Sequence, residues 1–301
     1  MANDADPVQS VNALKYMGAV MRGWVLRVTI ALVAAVIGGY SAICAYMYIE
    51  QDNMVYPGGT TAIHPLPAPE TAGLQGFQAV TLDTPDGEHL KSWWRVPDAG
   101  HGVIVYLHGN ATNLASDWRV ERFKAFAEAG FGILGVEYRG FGGSTGHPSE
   151  PGLITDAQTA YDYAAAKAPG ARIAVFGDSL GTGVAIALAT QRPVAGLVLD
   201  SPLASATRLA HISYPWLPTS LLLRDTWDSE SRIKAVKAPI LIAHCDTDRR
   251  IPLAEGHRLF EAANEPKEFV ELKGCGHVQT WIEPVKSKVL TDFGTWLENT
   301  R

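Results

Sequence analysis

The sequence predicts an α/β domain, a mostly parallel sheet with helices on both faces, preceded by one N-terminal transmembrane helix. Two observations carry this. Short apolar runs without alternation recur between amphipathic stretches, the pattern of strands buried on both faces. A charge-free run, Val28 to Ile49, is about 22 residues long and matches the hydrocarbon thickness of a bilayer. The 301 residues, 47% hydrophobic and 19% charged, supply one sizeable core and exclude wholesale disorder. A net charge of −6 without a basic stripe argues against a nucleic-acid partner.

The elements follow in order. Residues 1–27 read as a cytoplasmic N-terminal segment and 28–49 as the anchor. A cleaved signal peptide would need a shorter apolar core and small residues at its cleavage site, and Cys44-Ala-Tyr-Met-Tyr48 offers neither. Lys15, Arg22 and Arg27 precede the run, and the next cation is Lys91. The positive-inside rule therefore expects the following domain on the extracytoplasmic side, periplasmic or lumenal. Residues 50–75, rich in Pro and Gly from Pro57 to Pro69, read as an irregular linker. The folded domain is expected over 76–301.

Within it, Phe77–Leu82 and His89–Val96 flank Pro85-Asp-Gly87 as an antiparallel hairpin. Strands follow at Val103–Leu107, Gly132–Val136, Arg172–Phe176, Leu197–Leu199, Ile240–Ala243 and Phe269–Leu272. Helices are expected up to about Ala129, over Gly152–Ala166 and Leu180–Ala189, and finally over Trp281–Leu297. A short helical excursion at about 203–236 carries Tyr214, Trp216, Leu221-Leu-Leu223 and Trp227, a candidate wall for a ligand pocket.

Gly177-Asp-Ser179-Leu-Gly181 matches G-x-S-x-G between a buried strand and a helix, a turn that projects a serine above the sheet at a helix N-terminus. A hydroxyl needs an adjacent base to act as a nucleophile. His277, in the small-residue loop after the last strand, is the candidate among nine histidines. Asp248 follows the penultimate strand on a loop long enough to reach that ring, with Asp246 and Asp200 as alternative acids. The backbone N–H groups of Asn110, in Leu107-His-Gly-Asn110, and of Leu180 are the candidate oxyanion donors, each worth about 3 kcal/mol in a transition state. His108 reads as a structural turn histidine. His244, Cys245 and Asp246 lack the spacing of a metal site. No cofactor is implied, because the protein supplies every group the chemistry needs.

Taken together, Leu107-His-Gly-Asn110, Tyr138-Arg-Gly-Phe-Gly-Gly-Ser144, Gly177-Asp-Ser-Leu-Gly181, Asp248 before Ile251-Pro252, and Gly276-His277 resemble the α/β-hydrolase superfamily from about Phe77 onward. Within it, the chain is similar to lid-poor, single-pass serine hydrolases related to protein depalmitoylases. The resemblance implies the α/β-hydrolase fold with an eight-stranded type of sheet. It also implies cleavage of carboxylic esters or thioesters, with a lipid-like acyl molecule or an acylated protein as substrate. Glu137 and Cys275 depart from the common pattern, as does Cys245 where Gly is common, but no catalytic group is lost. If the fold holds, Cys245 and Cys275 end neighbouring strands, where a disulfide becomes feasible; the sequence leaves their state open. A second lipase group shares the string Gly-Asp-Ser-Leu, but its serine lies near the N-terminus, whereas Ser179 is central. A peptidase or acyltransferase on the same residues, and a silent binding protein of the same fold, remain as alternatives.

Overall fold

A computed structural model describes residues 7–60 and 64–297. Parts of the expected N-terminal segment (1–6), linker (61–63) and C-terminus (298–301) lie outside the described residues. The chain divides into two units, one ending at Glu50 and the other beginning at Gln51.

In the first unit, helix α1 begins at Pro7 and runs on to Val55. Its apolar stretch is long enough to cross a membrane, and Ile30, Leu32, Val36 and Ile37 are exposed along it. At about 1.5 Å per residue, residues 28–49 alone span about 33 Å. The helix does not stop at Ile49, where polar residues begin. Glu50 is a sound helix former and a single Asp52 costs too little to end the helix, so the first residue that cannot extend the ladder is Pro57. A short helix α2 (Pro57–Thr60) follows directly, so this part of the expected linker is helical.

The second unit holds one eight-stranded sheet. Its elements in order are β1 (Gln78–Asp83), β2 (His89–Arg95), β3 (Val103–Leu107), α3 (Asp117–Glu128), β4 (Gly132–Val136), α4 (Glu150–Lys167), β5 (Ile173–Asp178), α5 (Leu180–Ala189) and β6 (Leu197–Asp200). Then come α6 (Ala206–Ser213), α7 (Thr219–Leu222), α8 (Ser229–Ile233), β7 (Ile240–Cys245), α9 (Leu253–Ala262), β8 (Lys267–Leu272) and α10 (Val285–Leu297). Strand order is β1-β2-β4-β3-β5-β6-β7-β8. β1 and β2 form the antiparallel hairpin, with Gln78 opposite Trp94 and Asp83 opposite His89, and β2 is also antiparallel to β4. From β4 to β8 the sheet is parallel.

The strands lack alternation because both faces are covered. Along β3, Val103, Val105 and Leu107 join the core under α4, α5 and α9, while Ile104 and Tyr106 join the core under α3 and α10. Burying each such side chain contributes about 1.5–3 kcal/mol. α9 is an element with no counterpart in the sequence reading. α10 starts four residues later than expected, because the ring of Pro284 removes a backbone donor and keeps Glu283 out of helical geometry. β7 extends two residues beyond the apolar run to Cys245, which forms a disulfide with Cys275.

Candidate active site

Four parallel strands end at one edge, and each delivers part of the site. β5 runs into Asp178, after which Ser179 turns the chain into α5 with φ +51° and ψ −120°. Such a backbone is costly for a residue with a Cβ and persists only where the surroundings hold it. They do so by close packing. A Cβ on Gly181 would collide with the Leu107 carbonyl oxygen, and one on Gly177 would lie 2.6 Å from the Gly181 oxygen. The two glycines of the motif are therefore steric requirements of the turn. The Ser179 N–H donates to the Asp200 carbonyl of β6 at 2.9 Å.

The structure brings Ser179, His277 and Asp248 together. His277 Nε2 lies 2.8 Å from Ser179 Oγ, and its Nδ1 lies 2.7 Å from Asp248 Oδ2. The other Asp248 oxygen accepts the N–H groups of Arg250 and Ile251 at 2.8 and 2.9 Å. His244 Nε2 contacts the Ile251 carbonyl at 3.0 Å and lies 3.4 Å from Asp248 Oδ2. Burial pushes the Asp248 carboxyl up, but hydrogen bonding from His244, His277 and the Ile251 amide outweighs it. The group is held well below the usual carboxylate range and stays ionised.

The alternative acids are engaged elsewhere. Asp246 accepts the Gly274 N–H at 2.8 Å and braces the loop after β8. Asp200 pairs with the buried guanidinium of Arg122. His108 is fully buried, its ring tilted against Tyr138, with Nδ1 at 2.6 Å from the Gly109 oxygen and Nε2 at 3.3 Å from Glu137. Asn110 is held from two sides by the chain that ends α1. Its side-chain amide donates to the Val55 carbonyl at 2.6 Å, and its own carbonyl accepts the Gly58 N–H at 2.9 Å. Leu180 is the first residue of α5, so its N–H is one of the free donors at a helix start.

Beneath the strand ends lies a buried ionic cluster that the sequence reading did not identify. Asp178 and Asp200 are register partners on β5 and β6. Arg119 and Arg122, one turn apart on α3, are both buried and face them. Tyr106 donates to Asp178 at 2.7 Å, and Arg122 donates to the Tyr106 oxygen at 3.0 Å. Burial raises the Asp178 carboxyl, yet Arg119 and Arg122 pull it below its ordinary value, so it stays an anion beside the two guanidinium groups. The legible signal was the aspartate ending each of two buried strands, since such carboxylates require cations.

A cavity of about 400 Å³ opens at Ser179 and His277. Leu203, Leu209, Ala210, Leu223 and Ile251 line it, with Met54 and Val55 from the end of α1. The excursion thus supplies much of one wall, whereas Trp227 is fully buried and donates to the Tyr56 hydroxyl at 3.1 Å. Trp216 and Leu221 remain exposed. A second cavity of about 200 Å³ shares Asn110, Ser179, Arg250 and His277 with the first and adds Thr112, Trp118 and Val278. Among the described residues, no group of three or more His, Cys, Asp or Glu side chains is placed to hold a metal ion.

The chain is similar to several known proteins. A family model described as serine aminopeptidase, S33, matches residues 98–223, a stretch that includes Ser179 and stops before Asp248. An uncharacterized protein of Mycobacterium tuberculosis is 36% identical over 252 residues, covering 82% of this chain and 86% of its own length. The lysophosphatidylserine lipase ABHD12 of Mus musculus is 28% identical over 225 residues, covering 65% of this chain and 56% of its own. An esterase of Pyrococcus furiosus superposes with a TM-score of 0.64 at 19% identity, over 78% of this chain and 98% of the esterase, a likeness of fold. With an eight-stranded sheet of this order, a serine on a strained strand-to-helix turn and a relative matched over most of both lengths, the chain is an enzyme of the α/β-hydrolase superfamily.

Proposed function

We propose that the protein hydrolyses carboxylic ester or thioester bonds of lipid-like acyl substrates, with Ser179 as nucleophile, His277 as base and Asp248 as the acid. The observation that carries this reading is the unbroken contact chain from Ser179 Oγ through both nitrogens of His277 to Asp248. In the first step Oγ bonds to the acyl carbon while its proton passes to His277 Nε2. The carbonyl oxygen becomes an oxyanion facing the N–H groups of Asn110 and Leu180. Collapse breaks the bond to the alcohol or thiol, which takes the proton from Nε2 as it leaves. Water then attacks the acyl-enzyme with His277 again as base, releasing the acid and restoring Ser179. Asp248 stays ionised throughout and holds the ring in the tautomer with Nδ1 protonated.

The cavity walls support the substrate class. Leu203, Leu209, Leu223 and Ile251 suit an acyl chain, and the second cavity, with Thr112 and Trp118, suits the leaving group. The lysophosphatidylserine lipases among the relatives act on lipid of this kind. Helix α1 then serves as the membrane anchor, with the N-terminus cytoplasmic and the catalytic unit on the other side. A disulfide between Cys245 and Cys275 agrees with an oxidising compartment on that side.

The test is fluorophosphonate labelling of the detergent-solubilised protein, read by intact mass. One adduct on the wild type and none on Ser179→Ala is the expected result; a folded wild type that takes no label would overturn the reading. The aminopeptidase description of the matched family model favours a second reading, amide cleavage. Turnover of a peptide amide in preference to an ester of the same acyl group would establish it instead.

A further inference from the structure

We propose that Ser201 is a positioning residue for His277, acting through the backbone of Val278; this rests on the reading of Ser179 and His277 as nucleophile and base. Val278 follows His277 directly and has φ +50°. A β-branched residue rarely adopts this left-handed conformation. It persists only where neighbours hold it.

Two neighbours do. Ser201 Oγ accepts the Val278 N–H at 3.1 Å, and Arg122 Nη2 donates to the Val278 carbonyl at 3.4 Å. Both polar ends of the strained residue are therefore tied to groups beneath it. Ser201 is itself fully buried and sits at φ +51°, with its N–H donated to Ala243 of β7 at 2.8 Å. Its hydroxyl donates to Asp200 Oδ1 at 3.2 Å, so it uses both its donor and an acceptor position.

The chain's route makes this more than local packing. Asp200 accepts the Ser179 N–H through its carbonyl and binds Arg122 through its carboxylate. The adjacent pair Asp200 and Ser201 thus supports Ser179 on one side and the residue after His277 on the other. The distance between the two reacting side chains is set from one place, the end of β6. If the Ser201 hydroxyl is lost, Val278 can relax toward negative φ. The peptide that joins it to His277 then rotates, and the ring leaves its place opposite Ser179. An error of about 1 Å at a reacting pair costs up to about a hundredfold in rate.

The experiment uses the full-length protein in detergent and compares wild type, Ser201→Gly and Ser201→Gly/Val278→Asn. Glycine keeps φ +51° without steric cost, so the first change removes little besides the hydroxyl. Asparagine, close to valine in size, visits the left-handed region readily and restores the backbone preference without Ser201. The readouts are the second-order rate of fluorophosphonate labelling, kcat and KM on a soluble ester, and Tm. Ser201→Gly is expected to label about tenfold or more slowly, with kcat falling and KM unchanged, and the second substitution to recover most of that loss. Labelling at the wild-type rate would overturn the proposal. So would a loss that Val278→Asn leaves in place while Tm falls, which marks a serine needed only for stability. A wild type that takes no label would sink the hydrolase reading itself, an outcome distinct from either.

Discussion

Asp248 reaches His277 Nδ1 at 2.7 Å, while Asp246, only two residues earlier, spends its carboxylate on the Gly274 N–H at 2.8 Å. The separation follows from the loop. Asp246 is still at the strand end and faces the neighbouring loop, whereas Asp248 lies one turn on, where Arg250 and Ile251 point their N–H groups at its free oxygen. Asp248→Asn is therefore expected to lower kcat by about 10⁴ through the wrong imidazole tautomer. Asp246→Asn should cost far less. Steady-state kinetics on one ester decides it, and equal losses would move the acid elsewhere.

The same contacts give a pH signature in stability. The Asp248 carboxyl is held below its unfolded value of about 3.9, so its contribution is complete above that pH. It is lost as pH falls toward the depressed folded value. Chemical denaturation of wild type and Asp248→Asn should show a stability difference that narrows as pH falls below about 4. A gap that widens below about pH 4 would contradict the sign.

Cys245 and Cys275 close a loop with a sequence separation of 30 that contains Asp248 and the whole of α9 and β8. In the chain-entropy model such a bridge contributes about 3–4 kcal/mol. Urea unfolding of wild type against Cys245→Ala/Cys275→Ala should show that loss, and reductant should destabilise the wild type alone. Coincident midpoints would mean the pair contributes nothing in solution.

Leu209, on α6, faces the larger cavity. Leu209→Trp should fill part of it and penalise long acyl chains, each excluded methylene being worth about 1–3 kcal/mol. The ratio of kcat/KM for a long-chain over a short-chain ester is expected to fall tenfold or more. An unchanged ratio would place the acyl chain outside this cavity.

Much of this was legible in the residues themselves. Strands β3 to β7 read directly because each is a continuous apolar run, and continuity is the mark of burial on both faces. Ser179 and His277 read from their places at strand ends. Arg119 and Arg122 did not, because charges on an amphipathic helix ordinarily mean a solvated face. They are buried only because β5 and β6, distant from α3 in sequence, set Asp178 and Asp200 side by side. Ser201 and Val278 were invisible for a related reason, since nothing in a side chain's identity announces an unusual φ. The helical continuation to Val55 was masked by polarity. Glu50 and Asp52 end the apolar run, but backbone hydrogen bonding ignores that border until Pro57.

That continuation bears on where the chain can be cut without damage to the cavity at Ser179. Val55 supplies the carbonyl that holds the Asn110 side chain, and Met54 and Val55 are cavity wall. Gln51 accepts the Arg224 N–H at 2.8 Å, tying the same turn to the excursion. A cut between Gln51 and Tyr56 would remove part of the cavity wall and the Val55 carbonyl that braces the Asn110 side chain. A shortened form that keeps this site intact must retain the chain from Gln51 onward.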